Sequence, residues 1–125
     1  MKLDWNIGLV AHLGIEFVEV SAERVVARLT VTDKLLTTTG VVHGGTLMAF
    51  ADTIGAAGTV ANLAEGQRTA TLESKTNFIA GTKSGVIQAV ATPIHKGRRT
   101  QVWETRITDE GGKLLSVTTQ TQMIL

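Results

Sequence analysis

The sequence contains no cysteine among its 125 residues, and this absence excludes disulfide bonds, thiolate metal sites and a cysteine nucleophile. Proline occurs once, at Pro93, beside thirteen glycines, which indicates strands punctuated by turns rather than extended linkers. The net charge is only +1, so the chain lacks the strongly basic surface that a protein binding duplex nucleic acid needs. Charged residues make up 18% and apolar residues 43%, a balance typical of a globular domain and not of a disordered chain.

Metal-binding and targeting signals are also missing. The three histidines lie far apart, and none belongs to a zinc-binding spacing such as HExxH. Polar residues interrupt the N-terminal segment at Asp4, Asn6, His12 and Glu16, so we find no signal peptide and expect a cytoplasmic protein. No repeat, charge block or low-complexity stretch divides the chain, and its length suits one domain over residues 1–125.

The part of the chain before residue 43 shows first a helical pattern and then two strand patterns. In residues 3–13 the apolar side chains share one helical face, and Gly14 can end the helix, which predicts a short helix. Residues 15–21 and 24–32 alternate apolar and polar side chains as half-buried strands do, and we predict that they form a hairpin. Residues 33–42 are predicted to form a loop.

Residues 43–63 are apolar on nearly every side and carry one charge, Asp52, which predicts a helix buried on most of its surface. A helix of about twenty residues is roughly 30 Å long and could also span a bilayer. An ionised aspartate at its centre would cost several kcal/mol in lipid, and the remaining chain has the amphipathic strands of a core formed in water. These features favour a core helix over a membrane span.

Four further strands are predicted after the long helix, at 69–79, 85–95, 99–108 and 114–124. Asp109–Gly112 has the composition of a hairpin turn, and Lys83–Gly85 is predicted to be a second one. Strands joined by tight turns are antiparallel, which excludes a doubly wound parallel sheet. The most economical packing is an α+β fold in which a six-stranded antiparallel sheet wraps around the single long helix.

The start of the long helix combines features that suit an active site. Gly44 and Gly45 leave backbone N–H groups uncovered where the helix dipole is positive, so they can stabilise a developing oxyanion. Asp52 lies two turns further along in apolar surroundings, where a carboxylate takes up a proton more readily than in water and can act as a base or a nucleophile. A structural explanation also stands for each: a tight helix entry beside a strand for the glycines, and a buried, satisfied acid for Asp52.

Gly44 and Asp52 cannot serve one substrate carbonyl from the same chain. Eight residues separate them, which corresponds to about 12 Å along a helix axis. The oxyanion donor must lie ~3 Å from the carbonyl oxygen, while the carboxylate must reach the same carbon or its water. The site therefore requires Gly44 of one protomer and Asp52 of another, which predicts a homodimer with two such sites.

The segment His43-Gly44-Gly45, with an acid nine residues after the histidine on a long apolar helix, resembles the hot-dog-fold acyl-CoA thioesterases. The similarity is to the PaaI-type branch, which includes the 4-hydroxybenzoyl-CoA thioesterases and their aryl-CoA relatives. A second stretch is similar to the same branch: residues 93–104, which contain His95-Lys96-Gly97-Arg98, followed by 108–112. The order and length of the elements agree over essentially the whole chain.

The resemblance implies roles for individual residues. Asp52 takes the place of the catalytic acid, Gly44 that of the residue whose N–H polarises the thioester carbonyl, and His43 supports the substrate end of the site. Relatives often carry Gln or Asn where this chain has Thr37, and some carry Ser or Thr where it has Ala56. Thr59, Thr37 and Ser74 are the candidates that could place the water instead. The residues expected along the substrate are Gly45, Thr37, Ala56, His95, Arg98 and Arg99.

The basic turn around Gly97 has two interpretations. It can be an ordinary solvated hairpin, since basic turns are common. A guanidinium group also suits phosphate, and with the resemblance we favour Arg98 or Arg99 as ligands of the coenzyme A phosphates. Other conspicuous side chains are interpreted as packing or surface residues: His12, Trp5, Trp103, Glu73, Lys75 and Glu104.

The resemblance implies hydrolysis of an acyl-CoA, favouring an aryl or phenylacetyl acyl group, to a free acid and coenzyme A. It implies no metal or redox cofactor, and an assembly of two dimers. Asp52 either activates water or attacks the thioester to form an anhydride. A non-catalytic acyl-CoA-binding or sensing module is the alternative, kept open by Thr37 and Ala56. A hot-dog dehydratase is disfavoured, because no His/Asp pair is placed to remove a proton α to the carbonyl.

Overall fold

One antiparallel sheet and one long helix account for most of the chain. The computed structural model describes residues 1–125. Its elements are α1 (Gly8–Leu13), β1 (Glu16–Val20), β2 (Val25–Thr30), α2 (Gly44–Val60), β3 (Thr69–Phe78), β4 (Val86–Lys96), β5 (Thr100–Thr108) and β6 (Leu114–Ile124). The strands are arranged in the order β1-β2-β4-β5-β6-β3, and every neighbouring pair is antiparallel. Helix α2 packs against β2, β3, β4, β5 and β6, so the predicted α+β arrangement is confirmed.

The sheet buries the side of helix α2 that faces it. The other side is less buried than predicted, since Gly45 and Met48 are exposed and Asp52 is half-buried. Phe50 and Ile54 are fully buried, and a Cβ atom on Gly58 would lie only 2.5 Å from the Trp103 ring, so glycine allows this close packing. The helix ends at Val60 rather than at residue 63. The Asn62 side chain donates a hydrogen bond to the Gly58 carbonyl at 2.8 Å and so takes the place of the next helical N–H. No helix in the structure has the length and apolarity needed to cross a bilayer.

The first helix is shorter than predicted. Helix α1 begins at Gly8, not at residue 3, because Asp4 accepts a hydrogen bond from the Asn6 N–H and holds this segment in a turn. Leu3 and Ile7 therefore remain exposed instead of packing on the core. The end of the helix is as predicted, since Gly14 adopts the left-handed conformation with a φ of 72°.

The predicted hairpin at Lys83–Gly85 is wrong. Strands β3 and β4 are not neighbours, because β5 and β6 lie between them in the sheet. Residues 79–85 instead cross the ends of those strands, where Ile79 and Ala80 donate to the Leu115 carbonyl. The turn residues show that the chain bends here, but not which strands pair. This crossover leaves β3 at one edge of the sheet, with one side of its backbone unpaired.

Candidate active site

The His43 side chain determines which N–H group at the start of α2 is free. His43 is the N-cap residue, and its Nδ1 atom accepts a hydrogen bond from the Gly45 N–H at 2.7 Å. The Gly44 N–H makes no hydrogen bond within the chain. The Gly44 N–H is therefore the free backbone donor at the start of α2, and its role as the oxyanion donor stays a prediction. The prediction that Gly45 offers a second free N–H is wrong, because the cap occupies it.

The free Gly44 N–H lies beside an exposed aromatic ring. A Cβ atom on Gly44 would lie 3.0 Å from the Phe78 ring, so the end of β3 meets the first turn of α2. Phe78 is 54% exposed although it is apolar. The free Gly44 N–H is thus flanked by an open apolar surface, to which an apolar group could bind.

Asp52 is half-buried rather than buried, and it lies where α2 meets β6 and the edge strand β3. Its Oδ1 atom accepts hydrogen bonds from the Thr71 hydroxyl at 2.6 Å and from Gln120 Nε2 at 3.1 Å. No hydrogen bond reaches Oδ2 from within the chain. The carboxylate therefore has one oxygen held by the protein and one oxygen available to water or a thioester.

An apolar cavity opens beside the Asp52 carboxylate. Its volume is about 240 Å³, and it extends along α2 past Ala56 to Val60, with the beginning of β3 as its other wall. Residues of the N-terminal segment cover it: Met1, Leu3, Trp5 and Val10. Ala56 lines the cavity, and its place along the substrate stays a prediction. Trp5 lines it too, although its ring also packs on Phe17 at a centroid distance of 5.2 Å.

The basic turn lies beyond the C-terminal end of α2. Lys96 forms an ion pair with Glu23 there and donates a hydrogen bond to Asn62, so its charge already has partners within the chain. Arg98 and Arg99 are exposed, and the ion pairs of the structure involve other cations. The Arg99 carbonyl accepts from the Ile124 N–H, while the next residue, Leu125, pairs with the backbone of Arg68.

Arg68 therefore brings a third unpaired guanidinium group to this end of the sheet. The sequence did not indicate Arg68, because Arg68 is far from Arg98 and Arg99 in the chain and lies near them only through the pairing of β6. His95, predicted along the substrate, is exposed and has its ring over Gly97.

None of the three residues predicted to position the water, Thr37, Thr59 and Ser74, forms a hydrogen bond with Asp52. The Thr37 hydroxyl forms hydrogen bonds within its own loop: it contacts Thr39 Oγ1 at 2.8 Å and accepts a hydrogen bond from the Val41 N–H. Thr59 is fully buried, and its hydroxyl has no hydrogen-bond partner. Ser74 is paired in register with Gln120 but makes no side-chain hydrogen bond. The residue that does reach the carboxylate is Thr71, for which the sequence offered no local signal.

A larger groove of about 550 Å³ lies away from these residues. It is on the face of the sheet that points away from α2, where Glu16, Arg28 and Gln88 are in register across β1, β2 and β4. Asp109 and Glu110 add two more acids to its wall, and only one lining residue is apolar. Neither an apolar acyl group nor a phosphate suits such a lining, so the smaller cavity at Asp52 is the candidate site.

Known proteins share the fold of this chain and about a third of its sequence. Residues 39–116, which include the start of α2 and Asp52, match the thioesterase superfamily. The chain is 36% identical over 111 residues to the 1,4-dihydroxy-2-naphthoyl-CoA hydrolase of Listeria monocytogenes, covering 89% of this chain and 90% of that protein. It superposes on a thioesterase from Haemophilus influenzae with a TM-score of 0.92 and 34% identity, covering 97% of this chain and 85% of the other.

A hypothetical thioesterase from Streptococcus pneumoniae, solved with coenzyme A, is also similar. The TM-score is 0.82 and the identity 26%, over 89% of this chain and 85% of that one. The fold, the family match and these relatives agree with one another. The chain belongs to the thioesterase superfamily and is a hot-dog-fold enzyme that hydrolyses thioester bonds.

Proposed function

We propose that this protein hydrolyses an aryl acyl-CoA to the free acid and coenzyme A, at a site shared by two copies of the chain. The observation that carries the proposal is the pair of unsatisfied groups on α2, the Gly44 N–H and Asp52 Oδ2. They are about 12 Å apart along one helix. They can act on one carbonyl only if the second copy supplies one of them.

The edge strand β3 offers a geometry for this dimer. Asp52 is bonded to Thr71 near the beginning of β3, while Gly44 contacts Phe78 at its end. If two copies of β3 pair antiparallel about a two-fold axis between Ser74 and Lys75, Thr71 of one copy lies opposite Phe78 of the other. Asp52 then faces the Gly44 N–H of the partner subunit, and two equivalent sites form. A dimer of such dimers remains our expectation from the family resemblance alone.

A charged residue at the β3 edge tests the dimer. Leu72 is 61% exposed in the single chain, so Leu72→Asp should leave the monomer folded. In the dimer, the change would bury a carboxylate from each copy at the junction, which is strongly unfavourable. We expect sedimentation at nanomolar concentration to show monomers, and turnover to fall in step with the dimer fraction.

Val18→Asp is the matched control, since Val18 is 54% exposed on β1, at the opposite edge. A Leu72→Asp monomer with full turnover would contradict the shared site.

The proposed reaction needs only water and the thioester. In the general-base route, Asp52 takes a proton from water as the water oxygen bonds to the carbonyl carbon, and the Gly44 N–H stabilises the oxyanion. The C–S bond then breaks, and the sulfur leaves with the proton held by Asp52. In the nucleophilic route, Asp52 attacks the carbon, coenzyme A leaves, and water hydrolyses the anhydride.

A single turnover in ¹⁸O-labelled water detects an anhydride that is hydrolysed at its aspartyl carbon. Hydrolysis at the acyl carbon would label the product as the general-base route does. The general-base route places solvent oxygen in the first product molecule. An anhydride hydrolysed at the aspartyl carbon instead transfers an unlabelled Asp52 oxygen to the first product and leaves the label in the protein.

Two observations support an aryl acyl group. The relative that shares 36% identity is named as a hydrolase of an aromatic acyl-CoA, 1,4-dihydroxy-2-naphthoyl-CoA. The exposed ring of Phe78 stands beside the oxyanion donor, where an aromatic acyl group would stack. A panel of aryl and straight-chain acyl-CoAs, assayed for release of the free thiol, tests the assignment. We expect the highest kcat/KM on aryl esters, and a clear preference for straight chains would overturn the aryl assignment.

The cavity and the three free arginines give coenzyme A a path away from Asp52. The cavity runs along the last two turns of α2, about 12 Å, toward Thr69. Arg68 precedes Thr69, and Arg99 lies across the last strand from it. We place the pantetheine arm along this cavity and the phosphates at Arg98, Arg99 and Arg68. Charge-assisted hydrogen bonds from guanidinium forks suit such phosphates.

Replacing Arg98 and Arg99 together with alanine tests the phosphate assignment. We expect KM for the acyl-CoA to rise about tenfold or more while kcat changes little, because the nucleotide is remote from the breaking bond. The N-acetylcysteamine thioester of the same acid lacks the phosphates. The double variant should therefore hydrolyse this thioester as fast as the unmodified enzyme does. Arg28→Ala is the control, since Arg28 is exposed on the opposite face of the sheet. Equal losses on both substrates would mean that the turn supports the fold and not phosphate binding.

A further inference from the structure

A chain of side-chain hydrogen bonds connects the Asp52 carboxylate to the inner face of β6. Gln120 and Gln122 are both buried there, at positions that face α2. Gln120 Nε2 donates to Asp52 and, at 2.9 Å, to Gln122 Oε1. Gln122 Nε2 in turn donates to Thr69 Oγ1 at 3.0 Å, and Thr69 donates to the Met123 carbonyl. Buried amides are costly unless they are bonded, and these hydrogen bonds satisfy both amides except for Gln120 Oε1, which has no partner.

The Thr71 hydroxyl has one hydrogen and two possible acceptors, Asp52 and Gln122. Thr71 Oγ1 lies 2.6 Å from Asp52 Oδ1 and 2.6 Å from Gln122 Oε1, but it has only one hydrogen. Gln122 Oε1 already receives an amide hydrogen from Gln120. The ionised carboxylate is the stronger acceptor, so the Thr71 hydrogen goes to Asp52. Thr71 then donates its hydrogen to Oδ1, while Gln120 shares one amide hydrogen between Oδ1 and the Asp52 carbonyl. No donor holds Oδ2.

We propose that Thr71 is a positioning residue that fixes Asp52 through Oδ1 and leaves Oδ2 as the oxygen that reacts. This inference rests on the proposed function, because it concerns the same carboxylate. Without Thr71, the Asp52 side chain keeps only the longer bond from Gln120 and can rotate about its own bonds. A carboxylate that samples several orientations spends less time aligned with the water or the thioester carbon, which lowers the rate of the chemical step.

Three variants on one strand test this role. Thr71→Val removes the hydroxyl with little change of shape, and Thr71→Ser keeps it. Thr76→Val is the matched control, because Thr76 lies on the same strand and its hydroxyl pairs with Thr118 at 2.7 Å across the same β3–β6 ladder. We expect Thr71→Val to lower kcat roughly 10- to 100-fold with little change in KM. Thr71→Ser should stay within about threefold of the unmodified enzyme, and Thr76→Val within about twofold.

The outcomes separate this inference from the proposed function. If Thr71→Val keeps full kcat while Asp52→Asn abolishes turnover, the positioning role is wrong and the catalytic acid stands. If Thr76→Val loses as much activity as Thr71→Val, the ladder only supports the strand, and the inference is again overturned. If Thr71→Ser is as slow as Thr71→Val, the hydroxyl is not the active feature. Sedimentation of each variant shows whether the dimer is intact when kcat is measured.

Discussion

Asp52→Asn is expected to remove most turnover while the protein stays folded. Asparagine has the same shape, and its side-chain oxygen can still accept the hydrogen bonds from Thr71 and Gln120. Its neutral amide can neither take a proton from water nor attack a thioester. Loss of a base or nucleophile lowers kcat by roughly 10²–10⁴-fold. The measurement is steady-state kcat on the best acyl-CoA, with thermal unfolding to show that the fold is retained.

Asp33→Asn is the control for this prediction. Asp33 is an exposed acid in the short 3₁₀ turn before α2, and it takes no part in the bonds around Asp52. The same change of acid to amide should leave kcat unaltered there. Near-normal kcat in Asp52→Asn, on a substrate that the unmodified enzyme hydrolyses well, would remove Asp52 from the mechanism.

Local patterns were sufficient for the elements of this fold. The apolar run over residues 43–63 predicted α2, which begins at Gly44 and ends at Val60. The alternating strands were placed within a residue or two of their observed ends. The formation of a helix or strand depends mainly on the conformational preferences of residues a few positions apart, and on which of them share one face of the element.

The pairing of β3 could not be predicted in the same way. Its partner is β6, which lies about forty residues further along the chain, and the turn signal before β4 suggested a different neighbour. Turn residues report on local backbone conformation, whereas strand pairing is decided by the packing of the whole sheet around α2. This pairing matters for the site, because β3 and β6 supply Thr71 and Gln120, the two residues that hydrogen-bond the Asp52 carboxylate.

The hydrogen bonds that hold Asp52 were missed for a related reason. Thr71 and Gln120 are 19 and 68 residues away from Asp52 in the sequence. A signal did exist in β6, where Gln120 and Gln122 occupy alternate positions that face the core. Polar residues at core-facing positions of a strand require buried partners, and the single charge of α2 was the natural candidate. The sequence could have indicated that a partner existed, although not the geometry of the bonds.

Removing the Gly44 N–H provides the sharpest test of a site shared between subunits. Gly44 is the first residue of α2, where proline is well tolerated, and His43 has the extended conformation (φ −66°, ψ 137°) that a residue before proline requires. Gly44→Pro therefore deletes one backbone donor and keeps the helix. Loss of an oxyanion donor lowers kcat by roughly 10²–10³-fold. Gly44→Ala is the matched control, because it adds the same Cβ atom beside the exposed Phe78 ring but keeps the N–H.

Mixing Gly44→Pro with Asp52→Asn should restore activity that neither variant has alone. In a hybrid dimer, one site combines the intact Gly44 of one copy with the intact Asp52 of the other, and the second site carries both changes. Random exchange at equal concentrations makes half of the dimers hybrid, so about a quarter of the unmodified activity should return. The measurement is thiol release before and after subunit exchange. Exchange that is complete by sedimentation, yet restores no activity, would show that each chain builds its site alone.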